Sequence, residues 1–78
     1  MEERNILEIL GKNMHDIRFE KNISLQELAK KINIDIETLR KFEAGENSGL
    51  TISQYISIAK GLGVNYDELT KGIDFVED

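Results

Sequence analysis

The amino-acid sequence predicts an all-α protein, a compact bundle of five helices, on three observations. Apolar residues recur at helical spacing near the amino terminus, and a helix-start signature follows at four later places. Strictly alternating runs of β-branched residues, which would indicate strands, are missing. With 78 residues and 40% apolar content, the chain is expected to form one domain over residues 1–70, followed by a short tail over residues 71–78.

The first helix is predicted from about Glu3 to Glu20. Apolar residues in this range lie three and four positions apart and would form one stripe of a helix. They are Ile6, Leu7, Leu10, Met14 and Ile17. Lys21-Asn22 interrupts the pattern, and asparagine tolerates the left-handed conformation that often ends a helix.

The other four helices are predicted from a capping residue flanked by two apolar residues that lie five positions apart. The four capping residues are Ser24, Asp35, Thr51 and Asn65. After Ser24, the carboxylate of Glu27 can accept from the amide of Ser24 while the serine oxygen accepts from the amide of Glu27, which is a capping box. The expected left-handed residues after the helices are Asn33, Gly45 and Gly63.

Helices two and three are predicted to form a helix-turn-helix unit over about residues 24–44. Only Asn33-Ile34-Asp35 separates them, and such a short link requires the two helices to cross at a steep angle. The expected apolar positions of this unit are Leu28, Ala29, Ile32, Ile34, Leu39 and Phe42. The inward face of helix four is expected to consist of Ile52, Tyr55, Ile56, Ala59 and Leu62.

Composition disfavours several classes of function. The chain has one histidine and no cysteine, so we expect no enzyme, no metal site and no cofactor. Neither a signal peptide nor a membrane span is expected, and the lack of cysteine suits a reducing cytoplasm. The net charge of −5 is opposite to that of a nonspecific nucleic-acid binder, but residues 45–78 carry six acidic and two basic side chains and hold most of the excess.

An ordered set of motifs runs through helices two to five. It consists of Ser24-Leu25-Gln26-Glu27-Leu28-Ala29-Lys30-Lys31-Ile32-Asn33-Ile34, Thr38-Leu39, Phe42-Glu43-Ala44-Gly45, Ile58-Ala59-Lys60-Gly61-Leu62-Gly63-Val64 and Asp67-Glu68-Leu69. At this spacing the set resembles the phage repressor and Cro family, also called the XRE family, over roughly residues 10–69. The resemblance implies a lambda-repressor-like DNA-binding domain, acting as a repressor-like transcriptional regulator in the cytoplasm of a bacterium or encoded by a phage.

The resemblance also implies which residues meet double-stranded DNA, with helix 36–44 in the major groove. The candidates for base contact are Ile36, Glu37, Arg40 and Lys41. The candidates for backbone contact are Ser24, Leu25, Thr38, Asn47, Thr51, Lys30 and Lys31. Arg18 and Glu43 are expected to form a structural ion pair beneath the recognition helix. The competing interpretation of the charged candidates is that a short exposed helix carries them for solubility alone.

The sequence departs from the family pattern in ways that favour a second hypothesis. Leu25 stands where the family usually has a glutamine that touches the DNA backbone, and Glu46 lies in a loop where basic residues are frequent. Together with Glu37 and the acidic net charge, these residues weaken attraction to phosphates. The alternative is a protein-interaction module with the same fold, for example an antitoxin-like or regulator-binding protein.

A homodimer is expected, because two recognition helices one DNA turn apart read a two-fold symmetric operator. The dimer candidates are Ile73, Phe75 and Val76, an apolar cluster close to the carboxyl terminus. This cluster either forms a dimer contact or folds back over helix one, and the sequence favours neither. His15 is expected at the surface, and in this family its position can also lie near the DNA.

Overall fold

The structure, a computed structural model, describes residues 3–73, with side chains from residue 6 onward. It confirms the all-α class and the five helices, and no strand occurs within the described range. The helices are α1 (Glu3–Lys21), α2 (Leu25–Ile32), α3 (Ile36–Glu43), α4 (Ile52–Leu62) and α5 (Tyr66–Leu69). The corner between α2 and α3 has the predicted three residues.

Capping boxes begin α2 and α4. Ser24 Oγ accepts from the amide of Glu27 at 3.0 Å, and Glu27 Oε1 accepts from the amide of Ser24 at 2.8 Å. Thr51 and Gln54 make the same pair of bonds at 3.2 and 2.9 Å. Both starts are therefore fixed by residues adjacent in the chain, and each box satisfies amides that would otherwise lack a partner.

The fourth predicted N-cap is Asn65, and α5 begins directly after it. The side chain of Asn65 makes no capping bond, and the amide of Glu68 donates to the backbone carbonyl of Asn65 at 3.0 Å instead. The end of this single-turn helix is held from outside, since Asn13 Nδ2 donates to the carbonyl oxygens of Leu69 (2.8 Å) and Lys71 (2.7 Å). A four-residue helix is too short to be stable by itself and depends on this bond to α1.

The helix ends use left-handed residues as predicted. Asn22, Asn33 and Gly63 have φ angles of 63°, 57° and 76°. Helix α3 ends at Glu43, one residue earlier than predicted. Ala44 follows with right-handed angles, and the chain reverses at Gly45, whose φ is 81°. The amide of Glu46 then donates to the carbonyl of Lys41 at 2.9 Å and closes the end of α3.

One apolar core joins all five helices. Its buried members are Leu10, Met14, Leu28, Ala29, Ile34, Leu39, Phe42, Ile58, Ala59, Leu62 and Leu69. The predicted core positions of α2 and α3 are buried except Ile32, which is partly buried. The predicted inward face of α4 is wrong at Ile52 and Ile56, which are exposed, and it omits Ile58, which is fully buried. Both faces of α4 carry isoleucine, so the apolar pattern alone does not fix which one turns inward.

Helix α1 passes very close to the end of α3 at Gly11. A Cβ atom added there would lie 2.7 Å from the carbonyl oxygen of Glu43 and would also clash with the carbonyl oxygen of Phe42. Only glycine permits this approach of two backbones. It brings the carboxyl end of α3 against α1.

Candidate nucleic-acid interface

Helix α3 has a buried inner side and an exposed outer side. Leu39 and Phe42 are buried, and the ring of Phe42 contacts that of Tyr55 on α4 with centroids 5.4 Å apart. Asp35 Oδ2 accepts from the amides of Glu37 (3.0 Å) and Thr38 (3.4 Å) and fixes the first turn. The helix is thus held at both ends and along one side, and its other side faces outward.

The four candidates for base contact differ in their burial and in their ion pairing with other side chains. Ile36 is partly buried and packs against the core, whereas Glu37, Arg40 and Lys41 are exposed. Arg40 Nη1 donates to Glu37 Oε2 at 2.6 Å, so these two candidates neutralise each other. Lys41 forms no ion pair with the side chains described, those of residues 6–73, and among them its charge is uncompensated.

Beneath α3, the carboxylate of Glu43 binds two residues of α1. Arg18 donates to Glu43 Oε2 through Nη2 at 2.8 Å and Nε at 3.1 Å, and His15 Nδ1 lies 3.0 Å from the same oxygen. Arg18 Nη1 also donates to the backbone carbonyl of Ile23 at 2.9 Å. The guanidinium therefore connects α1, the turn before α2 and the end of α3.

Two candidates for backbone contact, Ser24 and Thr51, are the N-caps of α2 and α4. Their hydroxyl oxygens already accept hydrogen bonds from the backbone amides of Glu27 and Gln54, so these hydroxyls cap the helices. The first two amides of a helix have no intrahelical acceptor, and at such an end they point toward an anion. At the amino ends of α2 and α4, the groups available to bind a phosphate are therefore backbone N–H groups.

The remaining backbone candidates occupy varied positions. Leu25 is partly buried and packs against the core, and Thr38 is half-buried beside the exposed face of α3. Asn47 Oδ1 accepts from the amide of Gly49 at 3.1 Å and shapes the loop before α4. Lys30 and Lys31 are exposed in the last turn of α2, the end away from Ser24.

Only one of the three dimer candidates lies within the described residues. Ile73 is partly buried and packs against the core, so its side chain belongs at least in part to the monomer. Phe75 and Val76 lie outside the described residues.

The structure adds to this region Phe19, which sequence reasoning did not name, and a contact of His15, which was expected only at the surface or near DNA. His15 contacts the carboxylate that anchors α3, and its ring stacks on Phe19 with centroids 5.7 Å apart. Phe19 is 76% exposed. An aromatic residue four positions after a histidine is a signal for the stacking, but no sequence pattern links His15 to Glu43, 28 residues later.

The carboxyl group of Glu27 has a perturbed pKa. Hydrogen bonds from the backbone amide and the hydroxyl of Ser24 hold the pKa of Glu27 below its ordinary value of 4.5, because they stabilise the charged form.

Within residues 3–73, no cluster of three or more His, Cys, Asp or Glu side chains is placed to hold a metal ion. No helix in the same part of the chain has the length and apolar character to cross a membrane.

Comparison with known proteins gives a consistent result. A model of the helix-turn-helix family matches residues 14–69, more than half of the chain. An uncharacterized HTH-type transcriptional regulator of Rickettsia conorii is 29% identical over 65 residues, which are 83% of this chain and 51% of the relative. The chain thus spans about half the length of that curated relative.

Two solved structures share the fold. The restriction-modification controller protein C.AhdI of Aeromonas hydrophila superposes with a TM-score of 0.75 at 22% identity, over 81% of this chain and 94% of that one. A hypothetical transcription factor, NHTF, of Neisseria superposes with a TM-score of 0.78 at 26% identity, over 90% of this chain and 79% of that one.

Proposed function

Because this chain belongs to the XRE-type, phage repressor and Cro-like family of helix-turn-helix proteins, we propose that it is a repressor-like transcriptional regulator that binds double-stranded DNA sequence-specifically. It places α3 in the major groove and reads a two-fold symmetric operator as a homodimer in the cytoplasm. The relatives described as transcription factors and transcriptional regulators support this class of function. No cofactor or catalytic step is part of the proposal.

The observation that carries the proposal is the division of α3 into a fixed inner side and an exposed outer side. The inner side is held by Leu39, Phe42 and the Arg18–Glu43 ion pair, and the outer side presents Glu37, Arg40 and Lys41. A helix that is rigidly placed and outwardly polar is what direct reading of base edges requires.

Contacts to phosphate position the helix before the bases are read. The amino ends of α2 and α4, capped by Ser24 and Thr51, offer backbone amides and the positive end of the helix dipole. These contacts need no basic side chain. An acidic protein therefore binds DNA with modest affinity per monomer, and binding to two half-sites at once raises the total affinity.

Base reading by α3 involves an exchange of partners. Lys41 meets guanine acceptors directly, since its charge is uncompensated in the described residues. Arg40 reaches a guanine only after leaving Glu37, whose carboxylate then accepts from a cytosine amino group. Ile36, partly packed on the core, offers its remaining surface to a thymine methyl group.

The first experiment selects bound duplexes from a random pool with the purified protein and then compares variants on the selected site. Lys41→Ala is expected to lose preference at one base position, at about 1–3 kcal/mol. Lys30→Ala with Lys31→Ala serves as the matched control, because these exposed lysines also remove positive charge but lie at the far end of α2. The control weakens all duplexes alike. Equal losses on every sequence for Lys41→Ala would remove Lys41 from the base contacts.

The Glu37–Arg40 ion pair favours a second candidate function, a protein-interaction module of the same fold with weak or no DNA binding. The pair neutralises one of the two cations on the outer face of α3, and Leu25 packs on the core where the family usually has a phosphate contact. Duplex binding at low salt decides between the two functions. A DNA-binding protein binds duplex at low salt and loses affinity steeply as salt rises, whereas the interaction module shows weak or no duplex binding even at low salt.

A further inference from the structure

His15 is the single histidine of the chain and lies where α1 contacts the end of α3. Its Nδ1 atom is 3.0 Å from Glu43 Oε2, and its side chain is 50% exposed. Because the chain also has no cysteine, His15 is the one side chain of a type that ordinarily titrates between about pH 5 and about pH 8. The proposed function gives this titrating group no role.

The contact with Glu43 determines which ring nitrogen of His15 carries a proton. A carboxylate only accepts hydrogen bonds, so Nδ1 is the protonated nitrogen of the neutral ring. In that tautomer Nε2 has a lone pair and no proton, and among the side chains of residues 6–73 none forms a hydrogen bond with it. A lone pair repels an anion, whereas a second proton on Nε2 makes the ring a cationic donor that binds one.

Stacking on Phe19 holds the imidazole ring in place. The two ring centroids are 5.7 Å apart and the ring planes differ by 21°. The two nitrogens of an imidazole point in diverging directions, so a ring that is bound at Nδ1 and covered on one face keeps Nε2 directed away from Glu43. The exposed part of the His15 side chain can therefore meet a ligand through Nε2.

The charged groups around His15 come from α1 and α3. Arg18 of α1 and His15 share one oxygen of Glu43, the carboxylate that α3 contributes. Lys12, one turn before His15 on α1, is paired with Asp16 at 2.8 Å. Since Arg18 already balances the charge of Glu43, a proton on His15 gives this cluster a net positive charge. The protonated ring is therefore matched to an anion from outside the described residues.

His15 lies between the two parts of the molecule that the proposed function sets against DNA. Glu43 is the last residue of α3, the proposed reading helix. Phe19 lines the same surface depression as Ser24, which caps the amino end of α2, a proposed phosphate contact. If both of these contacts are made, the DNA backbone passes over the surface between them.

We propose that His15 binds a backbone phosphate of the operator through Nε2, and that DNA binding therefore takes up one proton for each half-site. This inference rests on the proposed function, because it names a contact and a regulating condition of that DNA complex. The proton comes from the solvent and goes to Nε2, while the Nδ1 proton remains on its bond to Glu43. Binding tightens as pH falls, and because the ligand is a phosphate, it does so on every DNA sequence.

The test compares the Kd for the selected operator at about pH 6 and about pH 8, at constant salt. The wild type is expected to bind at least about fivefold more weakly at the higher pH, since the uptake of one proton changes Kd by up to about tenfold per pH unit. His15→Gln still donates to Glu43 but does not titrate, so its Kd is expected to be the same at both values. Lys12→Gln is the matched control, because it removes an exposed cation of α1 and is expected to keep the pH dependence. Thermal unfolding establishes that each variant is folded.

A second measurement separates a phosphate contact from an indirect effect on α3. Single phosphates of the operator are replaced by uncharged methylphosphonates, one position at a time. At one position in each half-site, the wild type is expected to lose its pH dependence, and His15→Gln is expected to bind the replaced duplex as well as the original. If protonation of His15 acted only by strengthening its bond to Glu43, the pH dependence would persist at every position, and the proposal would be overturned.

The two proposals fail in different ways. Duplex binding by the wild type that is equal at the two pH values, or a pH dependence that His15→Gln retains, overturns the proton-linked contact and leaves the proposed function standing. A wild-type protein that binds no duplex at either pH refutes the proposed function and this contact together. The free protein gives a test without DNA, since the nitrogen NMR signals of His15 at about pH 8 are expected to show the proton on Nδ1. The opposite tautomer would remove the premise.

Discussion

The Arg18–Glu43 ion pair beneath α3 offers the most direct test of how this helix is held, by the substitution Glu43→Gln. In the folded protein Glu43 Oε2 accepts two hydrogen bonds from Arg18 and lies 3.0 Å from His15 Nδ1. The substitution removes the negative charge and leaves the guanidinium of Arg18 without its counter-ion. Arg18 keeps its bond to the carbonyl of Ile23, so it cannot simply turn out to solvent without a further loss.

The expected cost follows from the burial of the pair. Breaking a fully buried pair costs about 3–5 kcal/mol, and exposed pairs contribute about 0–1 kcal/mol. The side chains of Arg18 and Glu43 are both 16% exposed, which places them nearer the buried limit. We therefore expect a loss of about 2–3 kcal/mol in the free energy of unfolding. For a domain of this size that loss lowers Tm by roughly 10–20 °C.

The assay is a double-mutant cycle read by urea or thermal unfolding. Arg18→Met keeps most of the apolar stem, and the combined variant is expected to be no less stable than the worse single variant. The exposed Lys12–Asp16 pair on the same helix, at 2.8 Å, gives the control cycle, with a coupling of less than about 0.5 kcal/mol. An Arg18–Glu43 coupling as small as that of the control would refute the structural role of the pair.

Three further predictions concern packing, acid stability and the core. Gly11→Ala is expected to lower the free energy of unfolding by about 1–2 kcal/mol despite the better helix propensity of alanine, because the added Cβ meets backbone carbonyls. Gly61→Ala is expected to lower it less, because there the added Cβ meets only side-chain methyl groups. Equal unfolding free energies for the two variants would contradict this difference. Since the pKa of Glu27 is lowered in the folded state, its contribution to stability is complete above pH 4.5 and is lost as pH falls through the lowered value. Glu27→Gln keeps the hydrogen-bond acceptor but cannot titrate, so it should lose less stability than the wild type between about pH 7 and about pH 3. Gln54→Glu, in the second capping box, adds a titrating group and should lose more. Urea unfolding at the two pH values measures both, and pH profiles parallel to that of the wild type would exclude the mechanism. Leu28→Ala is expected to cost about 2–5 kcal/mol, since Leu28 is fully buried, and an unchanged Tm would mean that the core is misassigned.

Local chemistry explains why so much of the fold could be predicted from the sequence. The capping boxes at Ser24 and Thr51 and the left-handed residues Asn33 and Gly63 act within a few positions of the chain, so their effect is visible without tertiary structure. The cap at Asn65 shows the limit of this reasoning. A helix of one turn follows it, and the bonds from Asn13 that hold its end come from a residue more than fifty positions away.

Helix α4 shows a second limit. Its apolar residues surround more of the helix than one buried face requires, so the predicted inward set is right at Ala59 and Leu62, partly right at Tyr55, and wrong at Ile52 and Ile56. The observed choice buries Ile58 and leaves Ile52 exposed. Contacts with α2, α5 and α1 decide this choice, and they cannot be read from the periodicity of α4 alone.

The candidate site could be predicted in outline and not in its electrostatics. The outward position of Glu37, Arg40 and Lys41 follows from the burial of Leu39 and Phe42, which the sequence pattern indicates. The mutual pairing of Arg40 with Glu37 depends on side-chain conformation at the surface. The contact of His15 with Glu43 depends on how α1 crosses α3, which Gly11 makes possible.

The way α3 is anchored has a consequence for how such a protein changes its target. Asp35 and Gly45 secure the ends of the helix, and Leu39 and Phe42 attach it to the core, while Lys41 and the Glu37–Arg40 pair contribute little to stability. Mutations at these outward positions can accumulate without unfolding the domain. If α3 reads DNA as proposed, its binding preference can therefore change one amino acid at a time on an unchanged scaffold.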